Sequence, residues 1–282
     1  MANIREIMTA KEKDLYGDMI MDVDTNLKYE HVILSEENQT KIDELRQEMK
    51  YAREFEVYGL KPMNKLLFYG ASGTGKTLLA KALSNELDYY MLYVDIGRAL
   101  SNGDVSRAIA DIFTLANKYG TCIVFFDECD SVAVSRDNNN SDAGPIRRAT
   151  NTIFQYLDQM NPTNIFVAAT NMLHRLDAAF ENRFNLKLEF RRPELKIEET
   201  AARFIKDAGS RFELIGSMDE INKATVDKRC TLSYRELKSI VERQMKKAII
   251  RGDLKIPIKD LYEAVAIQQK IKIRFGTDVD NE

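Results

Sequence analysis

The sequence predicts an α/β fold, an open parallel sheet of five strands flanked by helices and followed by a small all-α domain. Three observations carry that expectation. Five apolar runs, residues 66–69, 89–96, 122–126, 165–169 and, less cleanly, 186–190, recur with helix-forming stretches between them, the pattern of a parallel sheet covered on both faces. Between the first run and the helix-forming residues 78–87 stands a glycine-rich turn, Gly70-Ala71-Ser72-Gly73-Thr74-Gly75-Lys76-Thr77. After Arg192-Pro193 the strand runs stop, and Ile197, Ala201, Phe204, Ile205 and Ala208 trace one helical face instead.

Taken in order, residues 1–27 show weak periodicity and read as a short docking arm or as an arm without fixed structure. The α/β domain spans 28–192. It opens with an amphipathic helix through Ile42, Leu45, Met49, Ala52 and Phe55, entered at Ser35 and the acidic pair Glu36-Glu37. Residues 135–144, centred on three asparagines, lack apolar content and predict a mobile loop. The helical domain spans 193–270, with Pro193 suited to a first helical turn. Two S-x-x-E capping boxes, Ser217 with Glu220 and Ser233 with Glu236, predict helix starts, and a last helix covers 258–269. Residues 271–282 form a tail.

Composition narrows the function classes. Apolar content of 44% and charged content of 30% describe an ordinary soluble globular chain. No run of about 18 apolar residues exists, and the start has no basic segment followed by an apolar one, so neither a membrane span nor a secretory signal is expected. A cytoplasmic location follows as the default. Cys122, Cys129 and Cys230 share no metal-ligand spacing and form an odd set, which suits packing in a reducing compartment. With only His31 and His174, a His-based zinc site or a Ser-His-Asp hydrolase is excluded as a reading. The formal charge of −3 gives no general attraction to phosphate backbones, which disfavours nucleic acid as a partner.

The glycine-rich turn fits G-x-x-x-x-G-K-[ST] and lies between a strand and a helix, where a phosphate-binding loop must lie. Glycines let successive N–H groups turn inward around an oligophosphate, and the following helix, which begins near Leu78, aims its positive dipole end at the same charge. The expectation is a P-loop NTPase that takes a nucleoside triphosphate. Lys76 would reach the β- and γ-phosphates and the Thr77 hydroxyl would ligate Mg2+. The strand at 123–126 ends in Asp127-Glu128, at the same edge of the sheet. Asp127 would hold Mg2+ through its water shell, and Glu128, pointing elsewhere, would polarise the attacking water.

Together with Ala168-Ala169-Thr170-Asn171 and Leu176-Asp177-Ala178-Ala179-Phe180-Glu181-Asn182-Arg183-Phe184, these motifs resemble an AAA+ ATPase of the AAA clade proper, with a single module spanning about residues 29 to 267. The resemblance implies ATP and Mg2+ as cofactors and a homo-oligomer, a hexameric ring. It implies that Asn171 helps place the water against the γ-phosphate; the residues alone show a polar residue after an apolar strand, which a turn also explains. It further implies that Arg183 is an arginine finger reaching a neighbour's nucleotide. A surface pair with Glu181 is the other account. Arg235, in the first turn of the helix that Ser233 caps, meets the positive end of the dipole, and either ATP or an acid such as Glu236 would relieve it. Near the adenine, the family uses segments that correspond to Val32-Ile33-Leu34 and Tyr58-Gly59-Leu60; core packing explains their apolar character equally well.

Two departures follow. The pore-facing aromatic and aliphatic pair of protein-threading members falls on Ser101 and Asn102, so the aromatic grip is missing, and Leu100 or Arg98 would have to touch a substrate. Asn182 and Asn185-Leu186 stand where relatives carry more charge, which leaves one finger. Arg147-Arg148 face the same broad side in the family. The expected function is Mg2+-dependent ATP hydrolysis that remodels an unidentified protein client or adaptor. A nucleic-acid-dependent motor or loader is one alternative, and an ATP-controlled assembly switch or scaffold with slow turnover is another.

Overall fold

A computed structural model describes residues 4–16, 20–21, 27–94, 105–131, 143–192, 197–209, 211–216 and 232–274. The chain divides into two compact units, one of 1–70 with 76–190 and one of Ala71–Gly75 with Arg191–Glu282.

The first unit is built on the five expected strands, β2 (Lys65–Tyr69), β3 (Tyr90–Val94), β4 (Cys122–Phe126), β5 (Ile165–Thr170) and β6 (Leu186–Glu189), all parallel to their neighbours among these five. A two-residue strand absent from the expectation, β1 (Ile20–Met21), adds antiparallel to the outer edge of β3, giving the order β1-β3-β4-β5-β2-β6. Burial on both faces explains the unbroken apolar runs. Along β4, Cys122, Val124 and Phe126 enter one core cluster while Ile123 and Phe125 enter the other, as a period of two requires. Each fully buried aromatic in these layers contributes roughly 1.5–3 kcal/mol of transfer free energy.

One face is covered by α6 (Val105–Tyr119) and α7 (Ala143–Gln159), through Ile109, Ile112, Phe113, Ile153 and Leu157, and the short α8 (Ala178–Glu181) precedes β6. The other carries α3 (Glu36–Lys50) and α5 (Lys76–Leu87). The Ser35 side chain caps α3 by accepting from Asn38 N at 3.2 Å. The helix breaks at Tyr51 before α4 (Ala52–Val57), so the expected single helix is two. The first residues differ from an unstructured arm: α1 (Ile4–Ile7) and α2 (Ala10–Tyr16) are helical, and Ile4 and Met8 are buried in the core shared with α6. The expected mobile loop ends earlier than 144, because α7 already includes Ala143 and Gly144; the rest of it lies outside the described residues, as do Ser101, Asn102, Leu100, Arg98, Pro193, Cys230 and the Ser217 capping box.

The second unit holds α9 (Ile197–Asp207), α10 (Tyr234–Arg251) and α11 (Ile258–Arg274) around Ile205, Leu237, Val241, Leu261 and Val265. The all-α expectation is corrected by β7 (Glu213–Ile215) and β8 (Lys255–Pro257), which pair in parallel. Three residues each are too few to show an alternation in the sequence. The Ser233 capping box forms as expected: Ser233 Oγ accepts from Glu236 N, and the Glu236 carboxylate accepts from Ser233 N at 2.7 Å. Gly252 ends α10 in the left-handed region at φ 79°.

Candidate active site

Within the first unit, β2 delivers Gly70 at the carboxyl edge of the sheet. Its φ of +132° and the 2.1 Å that would separate a Cβ from the Phe190 carbonyl oxygen leave room only for glycine. Lys76, at the start of α5, is buried, and its ammonium donates to Gly70 O at 2.6 Å and Asn171 Oδ1 at 2.7 Å. A cation at that depth requires such oxygens. The next residue, Thr77, donates its hydroxyl to Asp127 Oδ2 at 2.9 Å, which joins the end of β4 to the first turn of α5.

Asp127 also receives Tyr93 Oη at 3.0 Å and the Glu128 N–H at 3.1 Å. Glu128 then turns the chain sharply, with φ at +52°, and its carbonyl accepts from Ser131 N at 3.0 Å and Ser131 Oγ at 2.9 Å. This leaves Asp127 half-buried and Glu128 exposed, so adjacent carboxylates occupy different surroundings. At the tip of β5, Thr170 Oγ1 donates to Asp130 Oδ1 at 2.8 Å and accepts from Met172 N at 2.9 Å, fixing the exit that carries the exposed Asn171. Tyr93, Ser131 and the Thr170–Asp130 pair were not legible as site groups, since each contact depends on strand register.

Thr77 and Asp127 are hard oxygen donors of the kind Mg2+ takes when phosphate and water complete its shell. Among the described residues no group of three or more His, Cys, Asp or Glu is placed to hold a metal ion. Leu78 lies exposed in the first turn of α5. Val32 is buried, Ile33 half-buried, and Leu34 packs on the core beside α3, while Tyr58 and Leu60 are exposed.

Arg183 is brought together with none of these. Its guanidinium lies 3.8 Å from the centre of the Phe154 ring, donates to Ala179 O at 2.9 Å and stands 3.9 Å from Asp158. Glu181, the other expected partner, pairs with Lys187 instead. Arg183 precedes β6, and Asn185 bonds the backbone of Lys65, so this group lies at the amino ends of the strands. The exposed Arg147 and Arg148 are on α7.

In the second unit, Thr74 Oγ1 donates to Ala71 O at 2.8 Å, and Gly73 (φ +76°) and Gly75 (φ +110°) supply left-handed turns around the exposed Ser72. A Cβ on Gly73 would lie 2.9 Å from Ser233 Oγ, and Arg235 N donates to Gly73 O at 3.2 Å. The Arg235 side chain is exposed.

Residues 66–192 match the model of the AAA family, "ATPase family associated with various cellular activities". An uncharacterized AAA family ATPase of Sinorhizobium fredii is 33% identical over 192 residues, 67% of this chain and 57% of that protein. Residues 66–192 belong to the AAA family. Homologs of 26S proteasome regulatory subunit 4 from Dictyostelium discoideum (32% over 224 residues, 71% of this chain and 50% of the relative) and Saccharomyces cerevisiae (28% over 232 residues, 74% and 52%) are similar to this chain as well. It thus spans about half the length of the curated relatives it matches. The AAA match contains the phosphate loop, Asp127, Glu128, Asn171 and Arg183, whereas Ile33, Leu34 and Arg235 fall outside it.

Proposed function

We propose that this chain is a Mg2+-dependent ATP hydrolase that works as a homo-oligomeric ring and uses turnover to remodel a protein partner. The observation carrying the reading is the hydrogen-bonded line at the carboxyl edge of the sheet, Gly70–Lys76–Asn171 beside Thr77–Asp127, with Glu128 one residue further. Lys76 exchanges its carbonyl and amide acceptors for the β- and γ-phosphate oxygens, and N–H groups of the loop from Ala71 to Thr77 cradle the chain of phosphates. Thr77 and Asp127 would hold Mg2+, which would supply positive charge against the phosphates. Glu128 polarises the attacking water, and Asn171, freed from Lys76, helps place it. Arg235, whose N–H donates to Gly73 O, is assigned a phosphate contact. Ile33 and Leu34 flank the adenine.

Arg183 serves a neighbouring copy. It lies at the amino end of the strands and the phosphate loop at the carboxyl end, so the five residues of β2 set them roughly 16 Å apart along the sheet, too far for one copy to use both. An arginine supplied in trans is worth about 10³ or more in rate. Exposed Val57, Tyr58 and Leu60 in the first unit, and Ile249, Ile250 and Ile267 in the second, offer apolar surface for assembly. The 26S proteasome regulatory names of its relatives and the net charge of −3 favour a protein client over nucleic acid, and free Cys122 and Cys129 suit the cytoplasm. Among the described residues no helix is long and apolar enough to cross a membrane. Ser101 and Asn102, in place of an aromatic grip, favour a second reading, an ATP-controlled scaffold with slow turnover.

Glu128→Gln tests the choice. Loss of at least about 10²-fold in turnover with ATP binding retained, and capture of a protein client by the trapped assembly, supports the motor. Native turnover already as low as that of the variant supports the scaffold, and recovery of nucleic acid without protein overturns both.

A further inference from the structure

Tyr93 is not among the motif residues, yet its hydroxyl reaches the carboxylate at the centre of the site. In the β3–β4 register Tyr93 stands opposite Phe125, and Asp127 follows two residues along the same face. A tyrosine has the reach to cover that diagonal. Its ring packs against Phe125 with centroids 5.2 Å apart, and the Lys81 ammonium on α5 lies 5.5 Å from the ring centre. The hydroxyl is thereby fixed 3.0 Å from Asp127 Oδ2, the oxygen that Thr77 also meets at 2.9 Å.

We propose that Tyr93 is a positioning residue for Mg2+: it holds the Asp127 carboxylate in the orientation that pairs with Thr77, so that the two metal oxygens are assembled before the metal arrives. The inference rests on the Mg·ATP reading above. The aspartate side chain can turn about its terminal bond, and the Glu128 N–H restrains Oδ1 only. Among the described residues, Oδ2 accepts from Thr77 and Tyr93. Ligation by Thr77 would use a lone pair of its hydroxyl oxygen and leave the hydrogen on Oδ2, so Thr77 and Tyr93 would hold that oxygen together. Groups that orient a metal-binding side chain commonly change metal affinity by about tenfold or more when removed.

Tyr93→Phe removes the hydroxyl and keeps the ring, its packing on Phe125 and its contact with Lys81. The test measures equilibrium binding of methylanthraniloyl-ATP against free Mg2+, with and without EDTA, and ATP turnover over the same Mg2+ range. The expected result is a Mg2+ midpoint raised about tenfold, affinity in EDTA within about twofold of native, and turnover largely restored at saturating Mg2+. Phe125→Leu, which loosens the packing and retains the hydroxyl, leaves the midpoint near native; a shift as large as that of Tyr93→Phe overturns the proposal by assigning the effect to packing. A Tyr93→Phe midpoint that superimposes on native while Asp127→Asn shifts it overturns the proposal and leaves the Mg·ATP reading standing. If binding by native protein and by Asp127→Asn is equally indifferent to Mg2+, both fall.

Discussion

Asn164 offers a test of how the sheet is held at its amino edge, independent of any activity. It is fully buried just before β5, where its Oδ1 accepts from the Cys122 N–H at 2.9 Å and its Nδ2 donates to Asn117 Oδ1 at 3.1 Å. Its own carbonyl accepts from Asn64 Nδ2 at 2.9 Å, so one side chain and its backbone tie together the approaches to β2, β4 and β5. Asn164→Ala removes both side-chain bonds and strands the buried Cys122 N–H. The stranded donor costs about 1–3 kcal/mol and the bond to Asn117 about 1 kcal/mol more, so a loss of about 2–4 kcal/mol is expected from a total of roughly 5–15. At about 2–4 °C per kcal/mol for a domain of this size, the melting temperature falls by about 5–15 °C. Urea and thermal unfolding measure the loss, and hydrogen exchange reads the Cys122 amide directly. A change below about 1 kcal/mol with undiminished protection at Cys122 would refute the reasoning.

Two further outcomes follow from single contacts. Gly70→Ala forces either the Phe190 carbonyl or the loop to move, on top of about 1–3 kcal/mol of backbone strain, and because Gly70 O holds the Lys76 ammonium, methylanthraniloyl-ATP affinity should fall by more than about tenfold in a variant with native circular dichroism. Glu12 on α2 is held at a pKa of about 2, below its ordinary 4.5, by hydrogen bonds from Lys118, then from the Thr9 backbone and from Tyr119. Its contribution to seating the first helices is therefore complete above about 4.5 and lost as pH falls from there toward about 2. Proteolysis near residues 4–16 should rise across that window, less steeply so in high salt, and Glu12→Gln should flatten the profile.

The strands β2 to β5 were legible because each is a short apolar run bounded by polar or glycine residues, whereas β6 showed less cleanly because Lys187 and Glu189 alternate with Leu186 and Leu188. The starts of α3 and α10 were legible because capping chemistry is local: Ser35 and Ser233 meet amides within three residues. The first residues were not, since two buried side chains and a two-residue strand leave no period to read. Pro257 concealed β8, because proline demotes a strand in any sequence-based reading, and at the end of a three-residue strand its missing N–H does little harm. Of the site, the residues adjacent in sequence could be found, including the Lys76-Thr77 and Asp127-Glu128 pairs. What was not legible is long-range geometry: that Tyr93 lies diagonally across from Asp127, and that Asn64, Asn117 and Asn164 form one polar network.

The two-residue pairing of Ile20 with Val94 and Met21 with Tyr93 has a bearing on solubility. Without it, β3 would end the sheet as an open margin of amide donors and acceptors, backed by the apolar side chains of Met91 and Leu92. Such margins recruit strands from other molecules, and a two-residue cover in reversed orientation is enough to interrupt that growth. A version of the chain starting beyond Met21 should therefore precipitate more readily while keeping every group of its phosphate chemistry.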